Sequence, residues 1–589
     1  MSPIAALRRP VPARTAAWAV VGLLLAPAAC PAQEEESDPT GPPALIPWFP
    51  GTAHGQTFSE GSITALAEHL ASKPFVPDPP VPQELIDLDY DAYRKIAWKP
   101  EMSLWRYLDA PIQAELMHRG DILRNKVQIN TVQDGKVVTL AFDRNLFEYR
   151  GEVVGLPVDA GVDYAGMKLL GSLPGQKYLQ EFFAFAGASY FRGISAGQVY
   201  GASARALAID IGTPRVEEFP IIRGLWLQRP EVDAKTARVW AILDSHAVAG
   251  AYRFDVTPGD PTVAEVRATL FFRHVPTKVA VAPASSMFLW GDGFQNLKQD
   301  ARPEVHDSDG LLVHAGVEET ANPNGPTEWT FRALGQQSYP SVSGRGYGSI
   351  RGFGLLQRDR DPARYADPET RYEDRPSLWV TPLPLDPFGA GPGAAGFGGA
   401  EETDWDAVPN VWAGGTVELL EYPTDFEGFD NIAAWWVPAV QPTVGEPYPL
   451  AYTLSFVSGD PPEHKLAKAA AWTRTADPND PAATRLTVDF VGVPKRSNPV
   501  PRVTTQGGTY TDTSLTPMAD GTRRVTLSLK PDGDGPVTVD VALFPQSSEE
   551  TGEGSFAGSE PEAVDSASPG ELSSGSLSET WRFLCPPLP

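Results

Sequence analysis

Two short stretches hold residues that could do acid–base or binding chemistry. In "RPEVHDSDGLLVHAG", Arg302 to Gly316, His306, Asp307 and Asp309 stand together beside an apolar run. On a strand, side chains alternate with period two, so Asp307 and Asp309 share a face. In "QRDRD", Gln357 to Asp361, Asp359 and Asp361 alternate with Arg358 and Arg360, which places like residues on like faces. Such groups suit metal ligation, proton transfer, polar-substrate binding or a structural role. The metal reading is weak. His306 and His314 are eight residues apart, DSDG lacks the full calcium-loop pattern, and no second ligand cluster stands out. The bland alternatives are an Asx-turn at DSDG and a surface ladder of Arg–Asp pairs, each pair worth little.

The elements that must hold these residues are read from the rest of the chain. Its 589 residues are too many for one ordinary core, so two or more domains are expected. With 54 Gly and 59 Pro, short strands and many turns are favoured over long helices, and an all-β fold is the expectation. A formal charge of −26 without a basic patch argues against a nucleic-acid partner and is compatible with a neutral one. One helix is predicted in Ser59–Lys73, where Ile63, Leu66 and Leu70 recur at helical spacing. Lys136–Phe142 and Ala237–Leu243 read as strands. Thr262–Phe272 reads as a strand with a bulge, because Val263, Val266, Ala268 and Leu270 do not share one face.

Further on the alternation is cleaner. Leu450, Tyr452, Leu454 and Phe456 share a face, as do Leu486, Val488 and Phe490, then Val525, Leu527 and Leu529, then Val537, Val539, Val541 and Leu543. These strands predict a second sandwich of immunoglobulin size. The expected division is 47–442 for the first domain and 446–584 for the second. Segments 384–410 and 547–577, rich in Gly, Ala and Pro or in Ser, Glu and Gly, read as mobile insertions.

Arg8, Arg9 and Arg14 precede the apolar run Thr15–Cys30, which predicts a signal peptide over 1–32, followed by a polar linker over 33–46. Lipid anchoring at Cys30 is not expected, since Pro27 stands where such sites usually carry Leu. With Cys30 and Cys585 the only cysteines, no disulfide framework or cysteine metal site can be built.

Several long blocks carry a specific resemblance. "QEFFAFAGASYFRGISAGQVYGASARALAID" (Gln180–Asp210), "WAILDSHAVAGAYRFDVTPG" (Trp240–Gly259), "VAPASSMFLWG" (Val281–Gly291), "GFGLLQRDRD" (Gly352–Asp361), "RYEDRPSLWV" (Arg371–Val380) and "VELLEYPTDFEGFDNIAAWWVP" (Val417–Pro438) strongly resemble the periplasmic glucan biosynthesis proteins. The resemblance spans roughly Pro47 to Phe583. It implies a galactose-mutarotase-like β-sandwich followed by an immunoglobulin-like one, with "SETWRFL" as the closing strand. It also implies a periplasmic location and a β-1,2-linked glucan as partner. Some members resemble inverting endo-glucanases in activity. Others are described as biosynthetic factors, and the rival expectation is a non-catalytic glucan-binding factor serving a membrane glucosyltransferase. No metal or organic cofactor is implied.

Hydrolysis of a glucoside needs a carboxylic acid at the leaving oxygen, and inversion needs a base acting on water. Asp361 matches the family position taken as the general acid. Adjacent arginines would lower its pKa where an acid needs it raised, so burial must prevail or Arg358 and Arg360 must point away. Asp307, Asp309 and Asp359 are the candidates for base or relay, with Glu217, Glu218, Glu373 and Asp374 as substitutes. Expected sugar contacts are His306, Arg192, Arg358, Arg360, and the aromatic residues Tyr190, Tyr200, Trp290, Trp329 and Trp379, with Phe191, Trp226 and Arg205 also in the matched blocks. Any one ring is more often core than subsite.

Overall fold

The structure, a computed structural model, describes residues 49–78, 80–158, 161–294, 296, 300–317, 325–385, 410–546 and 575–586. The predicted signal and linker, Cys30, and most of the two insertions lie outside these residues. Among the described residues the fold is an all-β sandwich joined to a second, smaller one.

Two sheets face each other in the first sandwich. One runs through strands Gln128–Gln133, Ile221–Gln228, Ala237–Asp244, Val248–Thr257, Thr262–Phe272, Pro447–Val457 and Ser377–Pro382. The other runs through Ile112–His118, Tyr164–Gly171, Gln180–Ala186, Tyr190–Gly193, Ser203–Arg205, Val279–Ser286, Ile432–Pro438 and Ala413–Glu421. The long strand Ser341–Leu356 joins them, pairing with Ala413–Glu421 through its first half and with Gly310–Gly316 through its second. Leu225, Val239 and Phe254 from the first sheet meet Leu169, Phe183 and Phe191 from the second in one apolar core. Burial of such side chains is the main stabilising term.

Alternation then decides what the outer faces carry. On the first sheet they carry Trp226, Trp240 and Phe271, which the helix Glu60–Ala71 covers with Ile63, Leu66 and Ala67. The helix lies within the predicted segment. On the second sheet the outer face carries a polar row beside an apolar cluster of Leu420, Ala433 and Trp435. Glu115 pairs across strands with Lys168, Lys168 with Ala184, and Ala184 with Arg192. Arg192 Nε donates to Ser203 Oγ at 2.6 Å, Ser203 pairs with Ser285, and Ser285 with Ala433. This row crosses seven strands, and at the usual strand spacing it spans about 29 Å. This side of the sheet, the groove face, buries Arg192, Ser203 and Ser285 under other segments.

Two expectations are corrected. Thr262–Phe272 has no bulge, for its register is unbroken against both neighbours. Its core face is Thr262, Ala264, Val266, Ala268, Leu270 and Phe272, and Val263 is out of phase because it points the other way. Strand Pro447–Val457, assigned from sequence to the second sandwich, pairs with Thr262–Phe272 and Ser377–Pro382 and so belongs to the first. Its buried Leu450, Tyr452, Leu454 and Phe456 are the predicted face.

The second sandwich sets the sheet Lys468–Ala476, Thr484–Val491, Arg523–Pro531 and Gly508–Pro517 against Pro499–Gln506, Val537–Pro545 and Thr580–Cys585. Leu486, Val488, Val525, Leu527, Val539, Val541 and Trp581 fill its core. The strand Thr580–Cys585 also pairs in parallel with Thr327–Ala333 of the first sandwich, Thr330 opposite Thr580 and Arg332 opposite Arg582. One ladder therefore runs through both sandwiches.

Candidate active site

After strand Val279–Ser286 come the short paired strands Phe288–Trp290 and Val305–His306, and the HDSD stretch then leads into Gly310–Gly316. Asp307 N donates to Met287 O at 2.8 Å and Ser286 Oγ donates to Ser308 Oγ at 2.8 Å, which fixes the HDSD stretch at the groove's edge. The QRDRD turn leaves strand Ser341–Leu356 beside it. Asp309 holds the two together: one carboxylate oxygen accepts the backbone N–H of Arg358 and, at 3.1 Å, that of Asp359. Asp309 is thus an anchor of the turn, and DSDG forms a long-range brace rather than a local Asx-turn.

His306 sits under this brace, 1% exposed and stacked on Phe288. Its buried position corrects the expectation of a sugar contact. Burial works against a charge here, but the carboxylates of Asp309 and Glu304 outweigh it and raise the pKa to about 9. The imidazolium donates from Nε2 to Glu304 Oε2 at 3.2 Å and from Nδ1 to Gln357 Oε1 at 3.1 Å. Gln357 is oriented by donating from its own amide to His306 O and Tyr372 O. A histidine pKa raised on folding stabilises fully below the unfolded value near 6.5, and that contribution is lost as pH climbs through about 9. Melting temperatures taken from about pH 6 to about pH 10 should fall across this window in the parent and fall less steeply in His306→Gln. Parallel curves would show that His306 is not charged in the folded state.

Around His306 lies a carboxylate cluster that the sequence reading did not assemble. Arg364 donates to Asp292 at 2.5 Å and to Glu304, and its Nε lies 2.8 Å from Asp359. Burial, with help from Glu304, lifts Asp292 to about 7 despite Arg364. Burial and the nearby Asp309 and Glu304 raise Asp359 as well. Glu304 goes the other way, since the hydrogen bond and charge of His306 overcome its burial. Asp361 stands outside this network at the exposed end of the turn. It caps the short helix Pro362–Tyr365 by accepting the N–H of Ala363 at 2.9 Å.

Across the groove, Arg375 donates to Asp307 and lies 4.3 Å over the ring of Tyr372. Arg375 is packed on Gly201, where an added Cβ would come within 2.8 Å of its side chain. Asp430 lies among Arg192, Asp307, Arg205 and Arg375, and one of its oxygens is buried without a hydrogen-bond partner. Burial raises its pKa to about 7, against the pull of Arg192. Arg205 is paired with Glu217 at 2.5 Å and lies over the Tyr190 ring at 5.1 Å. Tyr200 is buried near Glu181, which pairs with Lys168 of the groove face at 3.0 Å.

The structure gathers Asp307, Asp359, Asp361, Tyr190, Arg192 and Tyr200 around the groove and sends other predicted residues elsewhere. Arg358 is turned away, its guanidinium 3.8 Å over Phe331 and paired with Asp460 and Glu579 of the second sandwich. Arg358 thus points away from Asp361 and is not placed to contact a sugar. Arg360 donates to the carbonyls of Glu373 and Arg375 and so braces the same segment. Trp329 and Trp379 stack on each other beneath the second sandwich, with Trp379 Nε1 donating to Glu463 at 2.7 Å. They are a wedge between sandwiches, not sugar platforms. Trp290 is buried with Met287, Tyr365 and Tyr372, and Trp226 lies under the helix on the opposite sheet. Glu218 accepts the N–H of Ala247, and Asp374 pairs with Arg371. Sequence reasoning missed Asp292, Glu304, Arg364, Arg375 and Asp430. The last two were visible as charged residues inside the matched blocks 371–380 and 417–438.

An all-β sandwich with a polar groove walled by buried carboxylates is suited to a polyhydroxylated ligand. The family model for periplasmic glucan biosynthesis protein, MdoG, matches residues 58–392 and 404–553. Glucans biosynthesis protein G of Vibrio cholerae serotype O1 (strain ATCC 39541) is similar at 37% identity over 469 residues, covering 78% of this chain and 79% of the relative. The protein of that name from Shewanella sp. (strain W3-18-1) is 36% identical over 484 residues, 81% of this chain and 82% of its own. Glucans biosynthesis protein G 1 of Shewanella oneidensis is 38% identical over 474 residues, with 79% and 80% covered. The chain belongs to the periplasmic glucan biosynthesis protein family.

Proposed function

We propose that the protein is an endo-acting, inverting enzyme on β-1,2-linked glucan, exported to the periplasm. The observation that supports this reading is a group of carboxylates in the family-matched stretches: Asp361 exposed at the end of its turn, and Asp307 and Asp430 near each other among Arg192 and Arg375. In this scheme Asp361 gives its proton to the glycosidic oxygen as the C1–O bond breaks. A water attacks C1 from the other face and loses a proton toward the Asp307–Asp430 pair. Asp430 is suited to accept it, for a base titrating near neutrality combines availability with strength. Arg192, Arg205 and Tyr190 on the groove face would hold hydroxyl groups. Asp359, paired with Arg364, supports the turn that carries Asp361.

The relatives are named for glucan biosynthesis, and a second reading consistent with that is a non-catalytic factor that binds glucan and works with a membrane glucosyltransferase. Incubation of purified protein with linear β-1,2-glucan separates the two. Shorter products are expected. Intact polymer with measurable binding would favour the assembly factor, and cleavage of another linkage would keep the enzyme and change its substrate.

A further inference from the structure

Where the two sandwiches meet, a cavity of about 370 Å³ opens, a size usual for small-ligand sites. Leu311, Val313, Val417 and Leu419 give it an apolar side, and Arg332, Arg345, Tyr347 and Arg582 give it a polar one. Val417 and Leu419 face the core of the first sandwich, while the neighbouring Leu420 packs with Trp435 on the groove face. The cavity is therefore on the other side of its sheet from Arg192 and Ser285, and a chain lying on the groove face does not reach it. Strand register brings its arginines together. Arg332 lies opposite Arg582 across the parallel ladder that joins the sandwiches. Arg345, opposite Val417, places Nη1 3.4 Å from Thr330 Oγ1. Glu328 and Tyr347 each feel the charge of both Arg345 and Arg582.

Each arginine has an acid partner. Arg332 donates to Glu421 at 2.7 Å, Arg345 pairs with Glu328 at 2.6 Å, and Arg582 holds both oxygens of Asp540 at 2.7 Å. None of these acids lines the cavity. Glu328 and Asp540 leave 6% and 8% of their side chains exposed, against 23% and 20% for Arg345 and Arg582. A guanidinium carries five N–H donors, of which Arg582 spends two on Asp540. The cavity is thus faced by cations with donors to spare, their counter-charges set behind them. Burial also raises the Glu328 carboxyl above its usual range despite Arg345, which moves the local balance further toward positive charge. Gly344, Gly346 and Gln506 are exposed lining residues and open the cavity to solvent.

We propose that this cavity binds a small organic anion, a phosphate monoester with a compact apolar body, and that the ligand bridges the two sandwiches. Several guanidiniums suit a phosphate dianion, whose oxygens accept from more than one of them, better than a single carboxylate. The body would lie on Leu311, Val313, Val417 and Leu419 beside the Tyr347 ring. Arg332 and Arg345 belong to the first sandwich and Arg582 to the second, so occupancy stabilises the junction between them.

The test is calorimetric titration of the purified protein with phenyl phosphate, inorganic phosphate and phenol. It is run on the parent, Arg345→Gln and Gln506→Glu, with melting temperatures recorded in each case. Phenyl phosphate should bind at one site, raise the melting temperature saturably and bind more weakly as salt is added. Inorganic phosphate should bind more weakly and phenol not at all. Loss of a charge-assisted pair in Arg345→Gln should weaken phenyl phosphate by about tenfold or more. Gln506→Glu puts a negative charge at an exposed position, so it should melt like the parent and still bind less well. Absence of saturable binding, or parental affinity in Gln506→Glu and in a folded Arg345→Gln, would overturn the site. Equal affinity for inorganic and phenyl phosphate would overturn the organic ligand.

Discussion

Asp361→Asn is expected to lower turnover of linear β-1,2-glucan by at least about a hundredfold while glucan affinity changes little. General acid assistance is worth about 10²–10⁴ in rate, and Asn keeps the shape of Asp while losing its proton. Folding should survive the change. The side chain is exposed, and its one described contact is the cap to Ala363 N, which an Asn oxygen can also accept. Activity and stability therefore separate cleanly at this position. They do not at Asp359, whose pairing with Arg364 makes Asp359→Asn a mixed change with a smaller catalytic effect. Near-parental turnover in Asp361→Asn would move the acid to Asp359 or Asp292.

Arg358→Ala should be the most destabilising single change in the site region, by about 3–5 kcal/mol, because it strands buried charge. The guanidinium donates to both oxygens of Glu579, at 2.6 and 2.8 Å, and to Asp460 at 2.8 Å. Glu579 is fully buried, and without Arg358 its carboxylate keeps only His464 and the Ala469 N–H as partners. The same substitution frees the turn that carries Asp361, and turnover should fall even at temperatures where the variant is folded. Denaturant unfolding and activity below the transition measure the two effects. Lys530→Ala is the contrast: its pair with Asp480 is exposed and screened by solvent, and little change in stability is expected. If Arg358→Ala cost no more than Lys530→Ala, the clamp between sandwiches would carry no weight.

The sequence made the strand faces legible because alternation with period two survives in any half-buried strand. The face Leu486, Val488, Phe490 and the helix over Ile63 and Leu66 followed from pattern alone. Where a strand is buried on both sides the pattern fades. Thr262–Phe272 has apolar residues on its second face too, and a bulge was inferred where none exists. The boundary between domains was misread for a related reason, since Pro447–Val457 looks like any sandwich strand and only its partners reveal which sandwich owns it. At the site, the residue types and the two stretches were readable, but the direction of each side chain was not. Arg358 and Asp359 are neighbours in sequence, yet one reaches the second sandwich and the other meets Arg364. Asp292 and Asp430 join the site from distant positions by tertiary packing, which no local spacing encodes.

The parallel pairing of Thr580–Cys585 with Thr327–Ala333 bears on the order in which the molecule is assembled. Any process that delivers the chain from its N-terminus supplies Glu579 and this strand after every other strand described. Until then the strand Thr327–Ala333 lacks its neighbour and Arg358 lacks Glu579, even though the groove face and its arginines are already made. The turn bearing Asp361 thus gains the last of its braces only then. Built this way, the molecule has a clock set by its own chain: it can gather its early strands first, but the clamp between sandwiches closes only when the last described strand is in hand.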